Sequence, residues 1–339
     1  MNNPITQPVS PSKRVMILGA TGTVGQATVR ALLRAGFQVS CFVRPHAGVG
    51  CGLSSERTAT LPHAAELRFG DVTKPQSLRD HGFKGETFDV LVSCLASRSG
   101  DPEDAWDIDY QAHSDALKLA VDSGVRQMVL LSAICVQKPK LAFQFAKLAF
   151  EKELMESGLT YSIVRPTALF KSLSGQISRL RKGKSFLVFG NGNLTSCKPI
   201  SDADLADYLV QCIANEKLHN RILPIGGPGN AITPIQQGDA LFSLLGRKAK
   251  FSYVPVALLD TIIWVMSALG FVFPFCAKKA ELARIGRYYA TESMLVYDPN
   301  TGRYDEAATP STGSENLFDF YAQTIRDNSS ISLGDHSAF

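Results

Sequence analysis

The chain has 339 residues and a net charge of +4, with 45% hydrophobic and 19% charged residues. This length can bury a complete α/β core and leave about a hundred residues for a second lobe. So small a charge does not indicate a nucleic-acid partner. The seven scattered cysteines include neither a C-x-x-C pair nor a grouping with the six histidines that is typical of a metal site. We therefore expect a globular protein in a reducing, cytoplasmic setting, without a metal or iron–sulfur centre.

Short β-branched runs alternate with helical patterns from Arg14 onward, which is typical of a parallel sheet covered by helices on both faces. The predicted strands are Val15–Leu18, Gln38–Val43, Glu66–Phe69, Phe88–Cys94, Gln127–Leu131, Thr160–Val164 and Arg221–Ile225. The predicted helices are Thr23–Ala35, Asp104–Ser123, Leu141–Ser157 and Asp202–Ala214, and the remainder, Thr233–Asp327, is mostly helical in pattern. The fold class predicted is α/β, a doubly wound Rossmann sheet with a smaller, mostly helical C-terminal subdomain.

The expected domain organisation follows from where this alternation begins and loosens. We expect a disordered tail at each end of the chain and two domains between them. The first is a dinucleotide-binding domain made of two segments, and the second is a substrate-binding subdomain whose two segments follow them in turn. The tails are 1–12 and 328–339, the binding domain is 13–170 with 195–230 returning to it, and the subdomain is 171–194 with 231–327. The N-terminal stretch lacks both a secretory signal's apolar region and the long Arg/Ser-rich character of a transit peptide, which favours a bacterial cytoplasmic protein or a processed chain.

One stretch, Val254 to Cys276, is apolar enough to raise the question of a membrane. Its length approaches the about 20 residues that a spanning helix needs, but Asp260 lies within it. Three interpretations stay open: a spanning helix, a helix lying on a membrane surface, and a buried wall of a substrate pocket. The pocket wall is the preferred prediction.

The most informative motif is the loop GATGTVG between the first predicted strand and the first predicted helix. Glycines let a loop turn tightly and let a pyrophosphate approach the backbone, while the helix N-terminus offers amide donors and a favourable dipole. The strand–loop–helix context favours a dinucleotide site over a simple glycine-rich turn. The cofactor contacts predicted here are Gly19, Thr21, Gly22, Thr23, Val24 and Gly25.

Residues at the ends of later strands refine the cofactor prediction. Arg44 follows the second strand, where a site that prefers NAD carries an acidic residue, so a 2′-phosphate and NADPH are favoured. Asp71 and Val72 follow the third strand, where Asp71 is either an acceptor for an adenine amino group or a cap for the helix from Pro75. Further predicted cofactor contacts are Cys94, Ala96, Lys147 and Pro166.

Together with GATGTVG, the segments VRP, GDV and RPTALF resemble those of the atypical short-chain dehydrogenases, which include isoflavone-reductase-like and NmrA-like proteins. More narrowly, SAICV at 132–136, FQFAKL at 143–148 and ESMLV at 292–296 resemble the divinyl chlorophyllide 8-vinyl reductases of chlorophyll and bacteriochlorophyll synthesis. The likeness extends from Arg14 to about Arg326. It implies NADPH-dependent reduction of a vinyl group on a chlorophyllide-type macrocycle, and we expect the protein in the cytoplasm of a photosynthetic bacterium, where the apolar stretch could also associate it with the photosynthetic membrane.

The chain departs from the wider superfamily at the catalytic tyrosine. In the Tyr-x-x-x-Lys motif the tyrosine exchanges a proton with a carbonyl or alcohol, but here Phe143 takes its place while Lys147 remains. A phenyl ring donates no proton, which argues against carbonyl reduction and agrees with reduction of a conjugated carbon–carbon double bond. Lys147 and Ser132 are the predicted catalytic residues, either of which could instead be a plain helix-surface or strand-end residue.

A flat, apolar macrocycle with a propionate carboxylate needs apolar walls and a cation at the rim. The predicted substrate contacts are Phe143, Phe170, Trp264 and Phe271, with Lys171, Arg179 and Lys184 as partners for the carboxylate; core packing or solvent exposure is the competing interpretation for each. Two other functions stay open, a non-catalytic NmrA-like NADP(H) sensor and an isoflavone-reductase-like enzyme for small phenolics. The sequence does not indicate an oligomeric state.

Overall fold

The computed structural model describes residues 12–45, 58–98, 100–271 and 273–327. The strands of this part are β1 (Arg14–Leu18), β2 (Gln38–Val43), β3 (Glu66–Phe69), β4 (Val90–Ser93), β5 (Gln127–Leu131), β6 (Thr160–Pro166), β7 (Phe186–Phe189), β8 (Arg221–Ile225), β9 (Phe251–Val254), β10 (Val296–Asp298) and β11 (Arg303–Asp305). Seven of them form one parallel sheet in the order β3-β2-β1-β4-β5-β6-β8. The strand order therefore reverses between β1 and β4, where doubly wound sheets open a cleft at the carboxyl ends of their strands.

The helices of the described residues flank this sheet and build a second lobe. They are α1 (Thr23–Arg34), α2 (Pro75–Ser77, continued by the π-helical Leu78–Phe83), α3 (Pro102–Ala105, the π-helical Trp106–Ala112 and His113–Asp122), α4 (Ala142–Glu156), α5 (Ile177–Arg181), α6 (Asp202–Ala214), α7 (Pro234–Leu244), α8 (Val256–Gly270), α9 (Pro274–Thr291) and α10 (Leu317–Arg326). Short 3₁₀ turns occupy Ile134–Gln137, Ser172–Ser174 and Glu216–Leu218.

The sequence of β1 explains why the sheet is covered on both faces. Successive side chains of a strand point to opposite faces, and every residue from Val15 to Leu18 is buried. Val15 and Ile17 belong to an apolar cluster shared with α1 and α6, whereas Met16 and Leu18 belong to a second cluster shared with α3 and α4. This apolar run therefore anchors the helical layers of both faces.

The second lobe has its own apolar core, formed by residues of α5, α7, α10 and the parallel pair β7–β9. Tyr321 of α10 is completely buried there, and its hydroxyl donates to the carbonyl of Leu173 at 2.8 Å. The lobe is mostly helical, as predicted. The sequence did not predict β7, β9, β10 or β11, which are three or four residues long and lie beyond Pro166, where the regular alternation of strands and helices loosens.

The main sheet agrees closely with the sequence prediction. Strands β2, β3, β5 and β8 and helix α6 have the predicted bounds. Strand β4 is shorter than predicted, β6 continues to Pro166, and α3 begins at Pro102 rather than Asp104 because Asp101 caps it by accepting from the Glu103 amide at 3.0 Å.

The apolar stretch from Val254 to Cys276 contains α8 and the first residues of α9, and these two helices pack against each other as a hairpin. Among the described residues, no helix has the length and apolar character needed to cross a membrane, so the spanning interpretation is not supported. Helix α8 has no fully buried residue, and Trp264 is 73% exposed. The preferred prediction, a pocket wall, does not match this stretch: of its described residues only Leu259 lines the cavity described below, and Leu282, Ile285 and Tyr289, which line it, lie farther along α9.

Candidate active site

A cavity of about 1670 Å³ opens at the carboxyl ends of the strands, between the sheet and the second lobe. This volume exceeds the about 300–1,000 Å³ of a typical small-molecule pocket, so the cavity has room for more than one ligand. The predicted residues that line it are Gly19, Thr21, Gly22, Thr23, Val24, Gly25, Arg44, Val72, Cys94, Ala96, Ser132, Phe143, Lys147 and Pro166. The fold thus brings most of the predicted cofactor and catalytic residues to one surface.

The glycine-rich loop is built for close backbone contacts. Gly19 has a φ of +75°, and a Cβ on Gly25 would lie 2.1 Å from the Gly19 carbonyl oxygen. No side chain caps the N-terminus of α1, whose N-cap is Gly22, so the first amides of the helix lie at the cavity without a side-chain acceptor. An anion such as a pyrophosphate fits this geometry. Lys171, predicted to meet a substrate carboxylate, instead donates to the Thr23 hydroxyl at 3.0 Å.

Arg44 and Asp71 lie near each other at the ends of β2 and β3. Arg44 is exposed at the cavity, while Asp71 is absent from the cavity lining. Burial opposes ionisation of Asp71, but hydrogen bonds from Thr73 and the nearby Arg44 guanidinium hold its pKa below the usual range. Asp71 does not cap α2, whose N-cap is Lys74. The cap interpretation is therefore wrong, and the adenine contact stays a prediction.

Lys147 is buried, which contradicts the alternative that it is a helix-surface residue. Its Nζ lies 2.9 Å from Oδ1 of Asp109, whose other carboxylate oxygen accepts the Ser97 hydroxyl at 2.6 Å. Asp109 is 1% exposed and belongs to the π-helical segment of α3. Insertions of this kind are frequent at functional sites because they re-aim side chains within a helix. The ion pair fixes the lysine at the cavity wall.

Ser132 contacts a second buried ion pair. Its hydroxyl donates to Glu151, whose carboxylate also accepts the Arg165 guanidinium, with Nε at 3.1 Å. Glu151 is 1% exposed and lies one turn after Lys147 on α4. The serine is therefore held by protein groups at the cavity surface, and its catalytic role stays a prediction.

The buried imidazole of His113 makes a further polar contact with the segment that carries Asp109. His113 Nδ1 donates to the Ile108 carbonyl at 2.8 Å, and Nε2 accepts the Ser93 hydroxyl at 2.8 Å. Burial, with a smaller contribution from Lys147, lowers the pKa of His113 to about 4. The imidazole is thus neutral and connects the end of β4 to the segment that carries Asp109.

Phe143 occupies the usual tyrosine position and lines the cavity beside Lys147. It packs in an apolar cluster with Ile134, Cys135 and Ile285. Tyr289 of α9 belongs to the same cluster, and its hydroxyl donates to Cys135 Sγ at 3.9 Å. Desolvation raises the pKa of Tyr289 well above its ordinary value. The phenol of Tyr289 therefore belongs to the same cluster as Phe143, which stands where the motif has its tyrosine.

The remaining predicted substrate contacts lie outside the cavity lining. Phe170 is 4% exposed and packs against Phe320 in the core of the second lobe. Trp264 and Phe271 lie on the exposed surface of the helical hairpin, and Phe271 is 94% exposed. Aromatic type and position in the chain do not distinguish a pocket wall from a core or surface position. Their predicted role as pocket walls does not match these positions.

The predicted carboxylate partners also separate in the structure. Arg179 lines the cavity, with its Nε fixed by a 2.8 Å hydrogen bond to the Ser185 carbonyl. Lys184 is exposed and does not belong to the lining. No group of three or more His, Cys, Asp or Glu side chains suited to a metal occurs within the described ranges.

The sequence also missed Glu292, which opens the ESMLV stretch and lines the cavity. Its carboxylate accepts Lys138 Nζ at 2.7 Å, Lys140 Nζ at 2.5 Å and the Tyr304 hydroxyl at 2.7 Å. Burial opposes its ionisation, but these partners hold its pKa below the usual range. Glu292 thereby ties the second lobe to the segment that precedes α4.

Comparisons with known proteins agree with this geometry. Residues 19–216 match a family model described as NAD(P)H-binding. The chain is 46% identical over 323 residues to the chloroplastic divinyl chlorophyllide a 8-vinyl-reductase of Arabidopsis thaliana, covering 92% of this chain and 77% of that protein. It is 47% identical over 332 residues to the same-named protein of Oryza sativa subsp. indica, covering 96% and 82%. The chain belongs to the divinyl chlorophyllide a 8-vinyl-reductase family.

Solved structures that are more distant in sequence have a similar fold. The NADPH complex of leucoanthocyanidin reductase from Vitis vinifera superposes with a TM-score of 0.67 at 15% identity, over 92% of this chain and 99% of that one. At this identity the likeness concerns the fold alone. The NAD(P)H-binding match begins at Gly19, the first glycine of the loop that precedes α1, so this loop belongs to the matched region.

Proposed function

We propose that this protein reduces the 8-vinyl group of 3,8-divinyl chlorophyllide a to an ethyl group, with NADPH as the reductant. The observation that carries the proposal is the position of Phe143 beside Lys147 in a cavity large enough for cofactor and macrocycle. NADPH supplies a hydride when it is bound. The close identity to proteins named divinyl chlorophyllide a 8-vinyl-reductase supports the choice of substrate.

Different residues along the cavity bind different parts of the cofactor. The backbone amides at the N-terminus of α1 bind the pyrophosphate, and Arg44 pairs with the 2′-phosphate. Lys147, fixed by Asp109, orients the nicotinamide ribose. Hydride addition at the outer vinyl carbon leaves negative charge that the macrocycle delocalises, so no strong acid is needed at the position of Phe143.

We further propose that the hairpin α8–α9 rests on a lipid surface. Trp264, Phe271, Phe273 and Phe275 are exposed, and Lys279 Nζ lies 4.5 Å above the Phe275 ring. Aromatic residues flanked by lysines suit the boundary between acyl chains and anionic headgroups. Because α9 also lines the cavity, an apolar pigment would pass between membrane and active site over a short path. The protein would then work at the aqueous face of a photosynthetic membrane.

An anaerobic incubation with 3,8-divinyl chlorophyllide a and NADPH tests the proposal. We expect the pigment to gain two hydrogens in the mass spectrum and its Soret band to shift to shorter wavelength, with little change when NADH replaces NADPH. Binding of NADPH without any change of the pigment would contradict the proposal and favour a sensor of the NmrA-like kind.

A further inference from the structure

The reaction consumes a hydride and a proton, and the motif that supplies the proton in related enzymes is interrupted at Phe143. Among the cavity-lining residues that the structure describes, Tyr289 is the only tyrosine, and no histidine is present. Asp109 cannot readily serve as the acid, because it accepts both Lys147 Nζ and the Ser97 hydroxyl. The phenol of Tyr289 is therefore a candidate proton donor, beside the neighbouring Cys135 thiol and Lys147, whose Nζ is held by Asp109.

Tyr289 comes from α9, far from the motif in sequence, yet lies in the same apolar cluster as Phe143 and Cys135. Phe143 and Lys147 are four residues apart on α4, so they lie on one face of that helix. Tyr289 and Phe143 pack against the same buried residues, and Tyr289, Phe143 and Lys147 all line the cavity. The arrangement supplies a phenol and a lysine to one cavity, although the phenol comes from a different part of the chain.

We propose that Tyr289 is the proton donor of the vinyl reduction, which rests on the proposed function. The π pair of the vinyl double bond breaks as the outer carbon receives the hydride, and the resulting electron pair at the inner carbon takes the proton of the Tyr289 hydroxyl. Two C–H bonds form at the former vinyl group, while the C4–H bond of NADPH and the O–H bond of Tyr289 break. NADPH is thereby oxidised to NADP⁺, and solvent returns a proton to the phenolate after the product leaves.

The chemistry of the surroundings fits this role. Desolvation raises the pKa of Tyr289, so the phenol keeps its proton until a stronger base, such as a carbanion at the inner vinyl carbon, forms next to it. Desolvation also raises the pKa of the Cys135 thiol, and Cys135 Sγ already accepts the Tyr289 hydroxyl. The neighbouring Tyr288 has a different environment, because its hydroxyl donates to the carbonyls of Cys135 and Lys138.

The test compares Tyr289→Phe with Tyr288→Phe in single-turnover reduction of divinyl chlorophyllide by the purified enzyme. Both variants lose one hydroxyl and keep the ring, so NADPH and pigment dissociation constants and thermal unfolding serve as checks on folding and binding. We expect Tyr289→Phe to slow reduction by about 100-fold or more while both dissociation constants stay within about threefold. Tyr288→Phe should retain a rate within about threefold of the parent.

Solvent deuterium oxide gives a second readout. A phenolic donor predicts a solvent isotope effect on the parent enzyme whose size differs in Tyr289→Phe, because a slower route through water then delivers the proton. Equal rates for Tyr289→Phe and the parent would overturn the proposal, and so would a loss confined to Cys135→Ala, which would assign the proton to the thiol. A parent enzyme that leaves the pigment unchanged would contradict the proposed function itself.

Discussion

Lys147 Nζ and Asp109 Oδ1 form a buried ion pair at 2.9 Å, with side-chain exposures of 10% and 0%. The two residues are 38 positions apart, on α4 and on the π-helical part of α3. Loss of one partner of such a pair leaves an uncompensated charge in a largely desolvated place. The pair therefore controls both local stability and the position of the lysine.

A double-mutant cycle measures this coupling. Asp109→Asn alone should lower the free energy of unfolding by about 3–5 kcal/mol, because Lys147 would stay buried without its counterion. The double variant Asp109→Asn with Lys147→Met should cost less than the sum of the two single variants. The exposed pair Arg34–Asp207, at 2.7 Å, is the control and should show about 0–1 kcal/mol of coupling in urea unfolding. Strict additivity at 109 and 147 would contradict the interpretation.

Arg44 is expected to set the preference for NADPH over NADH. Arg44→Ala removes a charge-assisted contact to the 2′-phosphate, worth about 1.5–3 kcal/mol, so the NADPH dissociation constant should rise by about 10- to 100-fold. The NADH constant should change little. Fluorescence titration measures both, and Arg30→Ala, an exposed position on α1, serves as the control. An equal loss for both dinucleotides would show that Arg44 does not read the 2′-phosphate.

Arg179 is expected to bind the propionate carboxylate of the pigment, since its guanidinium lies at the cavity wall. Arg179→Gln should raise KM for divinyl chlorophyllide by about tenfold or more, as loss of a charged hydrogen bond costs about 1.5–3 kcal/mol. The methyl ester of the pigment lacks the carboxylate, so its KM should be similar for parent and variant. An equal increase of KM for the free pigment and for its methyl ester would show that Arg179 does not bind the carboxylate.

The hairpin surface predicts binding to vesicles. The chain has two tryptophans, so Trp106→Phe leaves Trp264 as the fluorescent reporter. Vesicles with anionic lipids should shift its emission to shorter wavelength. In this background Phe271→Ser should weaken partitioning by about tenfold or more, since burial of a phenylalanine is worth about 1.5–3 kcal/mol. Phe145→Ser, at a 48% exposed position on α4, should leave partitioning unchanged. An emission wavelength of Trp264 that does not change when vesicles are added would contradict the proposal that the hairpin rests on a lipid surface.

Stability should depend on pH through His113. Burial lowers its pKa to about 4, so in acid the unfolded chain binds a proton more readily than the folded one. The contribution is complete above pH 6.5 and is lost as the pH falls through about 4, a change of up to about 3 kcal/mol. Urea unfolding across this range should show a flatter profile for His113→Gln, while the exposed His63→Gln should follow the parent.

The sequence predicted the residues whose role depends on local order. GATGTVG lies between a strand and a helix, so its place at the carboxyl edge of the sheet follows from the α/β alternation alone. Asp109 could not be found in this way, because a π-helical segment changes the phase of the helix and aims the residue at a different face. Glu151 and its partner Arg165 belong to separate elements that only the fold brings together.

The positions of several aromatic residues could not be predicted from the sequence either. Phe170 and Trp264 have the composition of pocket walls, yet one packs in a core and the other faces outward. Tyr289 stands in the amphipathic pattern of α9, with nothing in its neighbours to mark it as part of the site. Which apolar faces meet is decided by tertiary packing, and the periodicity of one segment contains no information about its partner.

Mass analysis of a reaction with NADPH deuterated at both C4 positions tests the central claim most directly. Purified protein, divinyl chlorophyllide a and the labelled cofactor are combined in unlabelled water, and the pigment is then analysed. Direct transfer across this cavity predicts one deuterium in the new ethyl group, at its terminal carbon, together with one hydrogen from water at the inner carbon. An ethyl group without deuterium, or a pigment that keeps its vinyl group, would contradict the account.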